Sequence, residues 1–207
     1  MIESIFFDFD GVLTTDHRAS ITIGNNIKDI VPHRSVDEII GCYREVYDGG
    51  LYTGAYSHAD RWNDFCTSLG EEISLEAMLQ VLRKVPANTE VINIAKQLST
   101  RHTVGIITDN DSERVRLILD DLQLTSLFNP VIVSADVQCS KFDGTTKIFD
   151  FALEKAGITA KSSAFIDNKE KNLSTPKQMG IATYWHDDSA NNVQALQNQL
   201  MAWGCVL

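Results

Sequence analysis

The chain has 207 residues, 43% of them hydrophobic and 22% charged, which suits one compact domain, or one domain with a smaller insert, and a sizeable buried core. Twelve glycines and four prolines exclude collagen-like and low-complexity readings. With 28 Asp and Glu against 18 Lys and Arg, the net charge of −10 argues against a nucleic-acid or anionic-membrane partner, and an anionic substrate would need a local device to attract it.

The opening MIESIFFDFD lacks a basic start, and acids interrupt its apolar run, so it does not read as a signal peptide. Ile5-Phe6-Phe7 reads as a buried strand running into a polar loop at Asp8 and Gly11. From about Ser20 to Val85 the apolar spacing becomes helical: Val36, Ile39, Ile40, Tyr43, Val46 and Tyr47; then Trp62, Phe65, Cys66 and Leu69; then Leu75, Met78, Leu79 and Leu82. A small helical bundle is expected there. After Pro86, helix and strand alternate. Helices are expected from Thr89 to Leu98, Ser112 to Leu122, Lys147 to Ala156, and up to Met179; strands at 104–107, 130–133, 164–166 and 181–185. This alternation implies a parallel sheet with helices on both faces, a doubly wound α/β fold, in which ligands bind beyond the carboxyl ends of the strands. Asp8, Thr108, Ser134 and Asp167 mark four such ends and are expected to meet in space. No stretch reaches the roughly 18 apolar residues of a membrane span. Cys42, Cys66, Cys139 and Cys205 have no metal-ligand spacing and read as small buried thiols, compatible with a cytoplasmic setting.

The chemistry concentrates at those ends. Asp8 and Asp10 lie two residues apart just past a strand, and such carboxylates repel, inviting a divalent cation or a shared proton. Oxygen ligands suit magnesium, which keeps several waters and takes few protein carboxylates. Gly11 permits a close backbone approach, and exposed amides beside it can cradle an anion. Thr108 reads either as a turn or helix-cap residue or as a hydroxyl donor to a phosphate oxygen. Lys141 follows Ser134 by seven residues in a loop, and Asn168 follows Asp167, with Lys171 and Asn172 just beyond.

Taken together, these motifs resemble the haloacid dehalogenase-like hydrolase superfamily. The carriers are Phe6-Phe7-Asp8-Phe9-Asp10-Gly11-Val12-Leu13-Thr14, then Gly105-Ile106-Ile107-Thr108-Asp109-Asn110, then Lys141, then Phe165-Ile166-Asp167-Asn168-Lys169-Glu170-Lys171-Asn172, in the family's order and spacing across nearly the whole chain. The resemblance implies a Rossmann-like catalytic core over 1–15 and 87–207, interrupted by a helical cap domain over 16–86. It implies that Asp8 is the nucleophile, forming an aspartyl-phosphate, and that Asp10 protonates the leaving group and then activates water. Haloalkanoate dehalogenases lack an acid at the position of Asp10, since halide leaves without a proton. Thr108, Lys141 and the loop around Phe9, Gly11, Asp109 and Asn110 are expected to bind the phosphate. Asp8, Asp10, Asp167 and Asn168 are expected to hold Mg2+. The implied activity is magnesium-dependent hydrolysis of a small phosphomonoester, a sugar or metabolite phosphate. A phosphomutase with the same aspartyl-phosphate and a non-catalytic phosphate-binding protein are the alternatives. Two departures stand out. The family usually has an acid where this chain has Asn168, so that either Asp167 ligates the metal directly or affinity is weaker. The loop after Lys141 also lacks the family's prolines and is about two residues longer. Arg18, Arg44, Arg61, Tyr52, Tyr56 and His58 are the cap residues from which substrate contacts are expected.

Overall fold

A computed structural model of the protein describes residues 1–206. After β1 (Ser4–Phe7) the chain leaves the sheet for four helices, α1 (Ala19–Ile30), α2 (Val36–Tyr47), α3 (His58–Leu69) and α4 (Leu75–Arg83). It returns through α5 (Thr89–Leu98), β2 (Thr103–Thr108), α6 (Ser112–Asp121), β3 (Val131–Val133), the short α7 (Ser134–Val137), α8 (Lys147–Ala156), β4 (Ser163–Asp167), α9 (Ser174–Met179), β5 (Ala182–Trp185) and α10 (Val193–Ala202). The five strands form one parallel sheet in the order β3-β2-β1-β4-β5.

β1 is central because it is apolar on both faces. Ile5 and Phe7 join α5, α6 and α10 on one side, while Phe6 packs with Ile148, Phe149 and Phe165 on the other. A strand covered on both sides reads as a continuous apolar run, as this one does. Since all strands run the same way, Asp8, Thr108, Ser134 and Asp167 emerge at one edge of the sheet, as expected.

The four inserted helices have an apolar cluster of their own, built on Ile23, Ile27, Ile39, Tyr43, Tyr47, Trp62, Phe65, Leu69, Met78 and Leu82. Those of α2, α3 and α4 are among the helically spaced positions expected from the sequence, whereas Ile23 and Ile27 of α1 are not. Ser35 with Glu38, and Ser57 with Asp60, form reciprocal capping boxes at the starts of α2 and α3. Asn26 of α1 donates to the carbonyls of Val81 (3.0 Å) and Lys84 (2.7 Å), tying the first helix of the insert to the last. Within the Gly49-to-Tyr56 stretch Leu51–Thr53 forms one helical turn, and the Tyr52 carbonyl accepts from Ser134 Oγ at 2.7 Å, seating the insert on the sheet edge. α10 gave little sign of itself in the sequence, because only Leu196 and Leu200 of its Gln- and Asn-rich run are buried. No helix among the described residues is long and apolar enough to cross a membrane.

Candidate active site

Asp8 is the first residue past β1, and its amide still donates to the Ile166 carbonyl at 2.8 Å, so the strand pairing itself fixes its position. Its Oδ1 accepts from the Phe9 amide at 2.8 Å, and its Oδ2 lies 2.8 Å from Lys141 Nζ. Lys141 Nζ also donates to Asp167 Oδ2 at 2.6 Å. All three side chains are buried. Burial pushes the Asp8 carboxyl up to about 7, with the Asp167 charge adding to the rise and Lys141 opposing it. Burial by itself would lower the Lys141 ammonium, but Asp167, Asp8 and Asp109 together raise it, so it is held as a cation.

The loop carrying Lys141 is ordered without proline. The Asp143 carboxylate accepts from the amides of Ser140 (3.2 Å) and Thr145 (2.8 Å), and the Lys141 amide donates to Asp109 Oδ1 at 2.9 Å. Asp167 anchors Lys141 and is itself held: Lys169 N donates to Oδ1 at 2.7 Å, and Asn172 Nδ2 reaches both oxygens at 3.1 and 3.0 Å.

Asp10 sits in a separate cage. Arg114 bonds it with both ends of its guanidinium, Nη1 to Oδ2 at 2.9 Å and Nη2 to Oδ1 at 3.0 Å. Asn110 Nδ2 donates to Oδ2 at 2.8 Å, and Thr14 Oγ1 to Oδ1 at 3.3 Å. A carboxylate offers about four acceptor positions, so these donors occupy all of them. Arg114 was not foreseen. It is almost fully buried, and it also bonds Asp16 Oδ2 at 3.1 Å, where the chain enters the inserted helices. One signal was present: Arg114 lies four residues before Ile118, on the stripe that also carries Val115 and Leu119, so the apolar face of α6 contains a cation.

The remaining expected residues fall around these two centres. Thr108 is buried at the end of β2, in register with Val133. The Asn110 amide donates to Ser134 Oγ at 3.0 Å. Gly11 adopts φ +80°, and a Cβ there would stand 2.1 Å from Asn168 Nδ2, so only glycine lets the loop pass this close. Asn168 Nδ2 donates to Asp188 Oδ2 at 2.7 Å, and its Oδ1 is buried without a hydrogen-bond partner among the described residues.

Among the inserted residues, Arg61 pairs with Asp64 and lies over the Tyr56 ring, whereas His58 is buried, with its Nδ1 3.1 Å from Asp111 Oδ2 and its Nε2 2.7 Å from the Tyr43 hydroxyl. His58, Asp111 and Glu113 bring possible metal-ligating atoms within 4.8 Å of one another. Both ring nitrogens of His58 are already engaged, and this group joins α3 to α6 without including Asp8 or Asp167.

The family model for haloacid dehalogenase-like hydrolases matches residues 5–186. No curated protein matches the chain. Among solved structures, a predicted hydrolase of this type from Porphyromonas gingivalis aligns with TM-score 0.71 at 20% identity, covering 97% of this chain and 98% of its own. A family enzyme from Bacteroides thetaiotaomicron, in complex with magnesium and inorganic phosphate, aligns with TM-score 0.68 at 18% identity over 91% and 96% of the two chains. A 2-haloacid dehalogenase from Pseudomonas syringae aligns with TM-score 0.69 at 16% identity over 98% and 100%. At these identities the likeness is one of fold, and the neighbours include more than one chemistry.

Proposed function

Because the chain belongs to the haloacid dehalogenase-like hydrolases, we propose that it is a magnesium-dependent phosphatase of a small phosphomonoester, a sugar or metabolite phosphate, working through an aspartyl-phosphate on Asp8. The observation that carries this reading is Asp10, a carboxylate fixed by Arg114, Asn110 and Thr14 two residues beyond the buried Asp8. A departing halide needs no proton, whereas a departing alkoxide does, so an anchored acid at this point favours ester cleavage over dehalogenation.

In this reading Asp10 takes up a proton as substrate displaces one of its donors; an Asp8 oxygen then attacks phosphorus, the ester P–O bond breaks, and its electron pair leaves on an oxygen that takes that proton from Asp10. Asp10 then accepts a proton from the water that hydrolyses the aspartyl-phosphate. Its four acceptor positions are filled by Arg114, Asn110 and Thr14, so one donor yields to substrate or water. The Thr14 contact, at 3.3 Å, is the longest of them. Lys141, already a cation beside Asp8, offsets charge on the transferring phosphoryl group, assisted by Thr108 and the loop amides of Phe9 and Gly11. The donor set suits a hard cation. Asp8, Asp10 and Asp167 offer carboxylate oxygens and Asn168 an amide oxygen, and the buried Asn168 Oδ1 has no hydrogen-bond partner among the described residues. When bound, Mg2+ would add charge neutralisation at the phosphoryl oxygens. Residues 16–86 act as the cap, with Tyr52 beside the site and Arg18, Arg44, Tyr56 and His58 on the same unit.

Phosphate release from p-nitrophenyl phosphate and from a panel of phosphorylated metabolites, with and without Mg2+, tests the proposal. Release that requires Mg2+ and disappears in Asp8→Asn is expected. Undiminished release in that variant overturns the mechanism.

A further inference from the structure

We infer that Asp188 is a positioning residue that turns the Asn168 side chain so that its carbonyl oxygen, rather than its amino group, is offered to a divalent cation. The inference rests on the magnesium-dependent reading above and adds a residue to it, one beyond the 5–186 stretch matched by the family model.

An amide side chain has a donor end and an acceptor end, whereas a carboxylate only accepts. Asn168 Nδ2 donates to Asp188 Oδ2 at 2.7 Å, which leaves Oδ1 on the other side of the amide plane. Asn168 is nine-tenths buried, and Oδ1 has no hydrogen-bond partner among the described residues. A half-turn of the amide would set its oxygen against the Asp188 carboxylate, so the observed orientation is the one Asp188 permits. Asp188 is steadied in turn, with its Oδ2 2.8 Å from His17 Nδ1. The Asn168 backbone is fixed as well, its carbonyl accepting from Trp185 Nε1 at 2.9 Å. The pair lies directly against the loop of Asp8 and Asp10: a Cβ on Gly11 would stand 2.1 Å from Asn168 Nδ2 and 3.0 Å from Asp188 Oδ2.

This arrangement answers a chemical difficulty. A carboxylate can offer an oxygen to a cation from either of its rotamers, but an asparagine binds a cation with its oxygen only, so it needs a partner that selects the rotamer. Groups behind a metal ligand commonly do this, and their loss typically weakens metal binding about 10- to 100-fold.

Isothermal titration of the full-length protein with MgCl2 tests the inference without reference to turnover. Asp188→Ala is expected to weaken Mg2+ binding about tenfold or more, as Asn168→Ala does, whereas Asp188→Asn, which still presents an acceptor to Nδ2, is expected to stay within about threefold of wild type. In an Asn168→Asp background the Asp188→Ala penalty is expected to vanish, because a carboxylate needs no orienting. Wild-type affinity in Asp188→Ala, or an equal penalty in the Asn168→Asp background, overturns the inference while leaving the phosphatase reading intact. If Asp188→Ala does not fold, Asp188→Asn decides: a loss as large as that of Asn168→Ala overturns the inference. A wild-type protein that neither binds Mg2+ nor releases phosphate overturns the phosphatase reading, and this inference with it.

Discussion

Arg114 is the residue on which most of the site's unforeseen order depends. One buried guanidinium serves two carboxylates, Asp10 and the nearly buried Asp16. Removing one partner from such a group leaves charge uncompensated in a poorly solvated place, an effect of about 3–5 kcal/mol. Set against a typical domain stability of about 5–15 kcal/mol, that is a large share. Arg114→Met is therefore expected to lower unfolding free energy by about 3 kcal/mol in a urea titration and to reduce phosphate release about 100-fold through loss of a placed acid. Arg114→Lys, which keeps the charge but not the fork, is expected to fall between. A Met variant as stable and as active as wild type would refute this account. The meeting of Asp8, Thr108, Ser134 and Asp167 was legible in the sequence because polar residues that end parallel apolar strands must emerge at one sheet edge, whereas Lys141, in a loop beyond α7, was expected there only through the family resemblance. Arg114 was not, because a charged residue inside a helix is ordinarily solvated, and only tertiary packing reveals that this one is buried. Asp188 escaped notice for a related reason: it lies past the last strand, in a polar run with no pattern of its own.

At the scale of elements, the first turn of α6 joins the parts. Asp111 caps the helix by accepting from the Arg114 amide at 2.7 Å, and the same oxygen lies 3.1 Å from His58 Nδ1 of α3. Burial raises the Asp111 carboxyl, but the hydrogen bond and charge of His58, with the amides of Arg114 and Glu113, outweigh it and hold the group below its ordinary value of 3.8. A depressed acid stabilises the fold fully above its unfolded value, and that contribution disappears as the pH falls through the lower folded value. Asparagine also caps helices, so Asp111→Asn isolates the charge. The variant is expected to be less stable than wild type at pH 6 by about 1–2 kcal/mol, and the gap is expected to narrow at pH 3. A gap of equal size at both pH values would rule this linkage out. The helices themselves were readable from spacing: α5, α6 and α8 fall within a few residues of the expected ranges, and α2, α3 and α4 carry the apolar positions expected to be helical. The contact between α3 and α6 was not, since His58 gives no sequence sign of its two partners, which lie 15 and 53 residues away.

For the whole molecule, the sheet and the inserted helices keep separate apolar clusters, and they meet through polar links such as Tyr52 with Ser134 and His58 with Asp111. The doubly wound order was legible because four of the strands run out at a polar residue, Asp8, Thr108, Ser134 or Asp167, and helical spacing alternates with them. How the insert sits on the sheet was not, because those links are single hydrogen bonds between residues unremarkable in sequence. The net charge of −10 also takes on a definite meaning. The cation proposed to meet the phosphate, Lys141, is buried and paired with Asp8 and Asp167, so it contributes little to the field far from the site. A phosphate dianion approaching from solvent meets an acidic surface and is attracted only at short range. Salt screens the long-range repulsion, with a Debye length of about 10 Å at 0.1 M and about 3 Å at 1 M, and leaves buried contacts nearly untouched. Raising ionic strength at constant free Mg2+ is therefore expected to leave kcat/KM for p-nitrophenyl phosphate unchanged or to increase it up to about twofold. A steep fall with salt would instead show that exposed cations draw the substrate in. The inserted arginines, and not the buried Lys141, would then be the source of attraction.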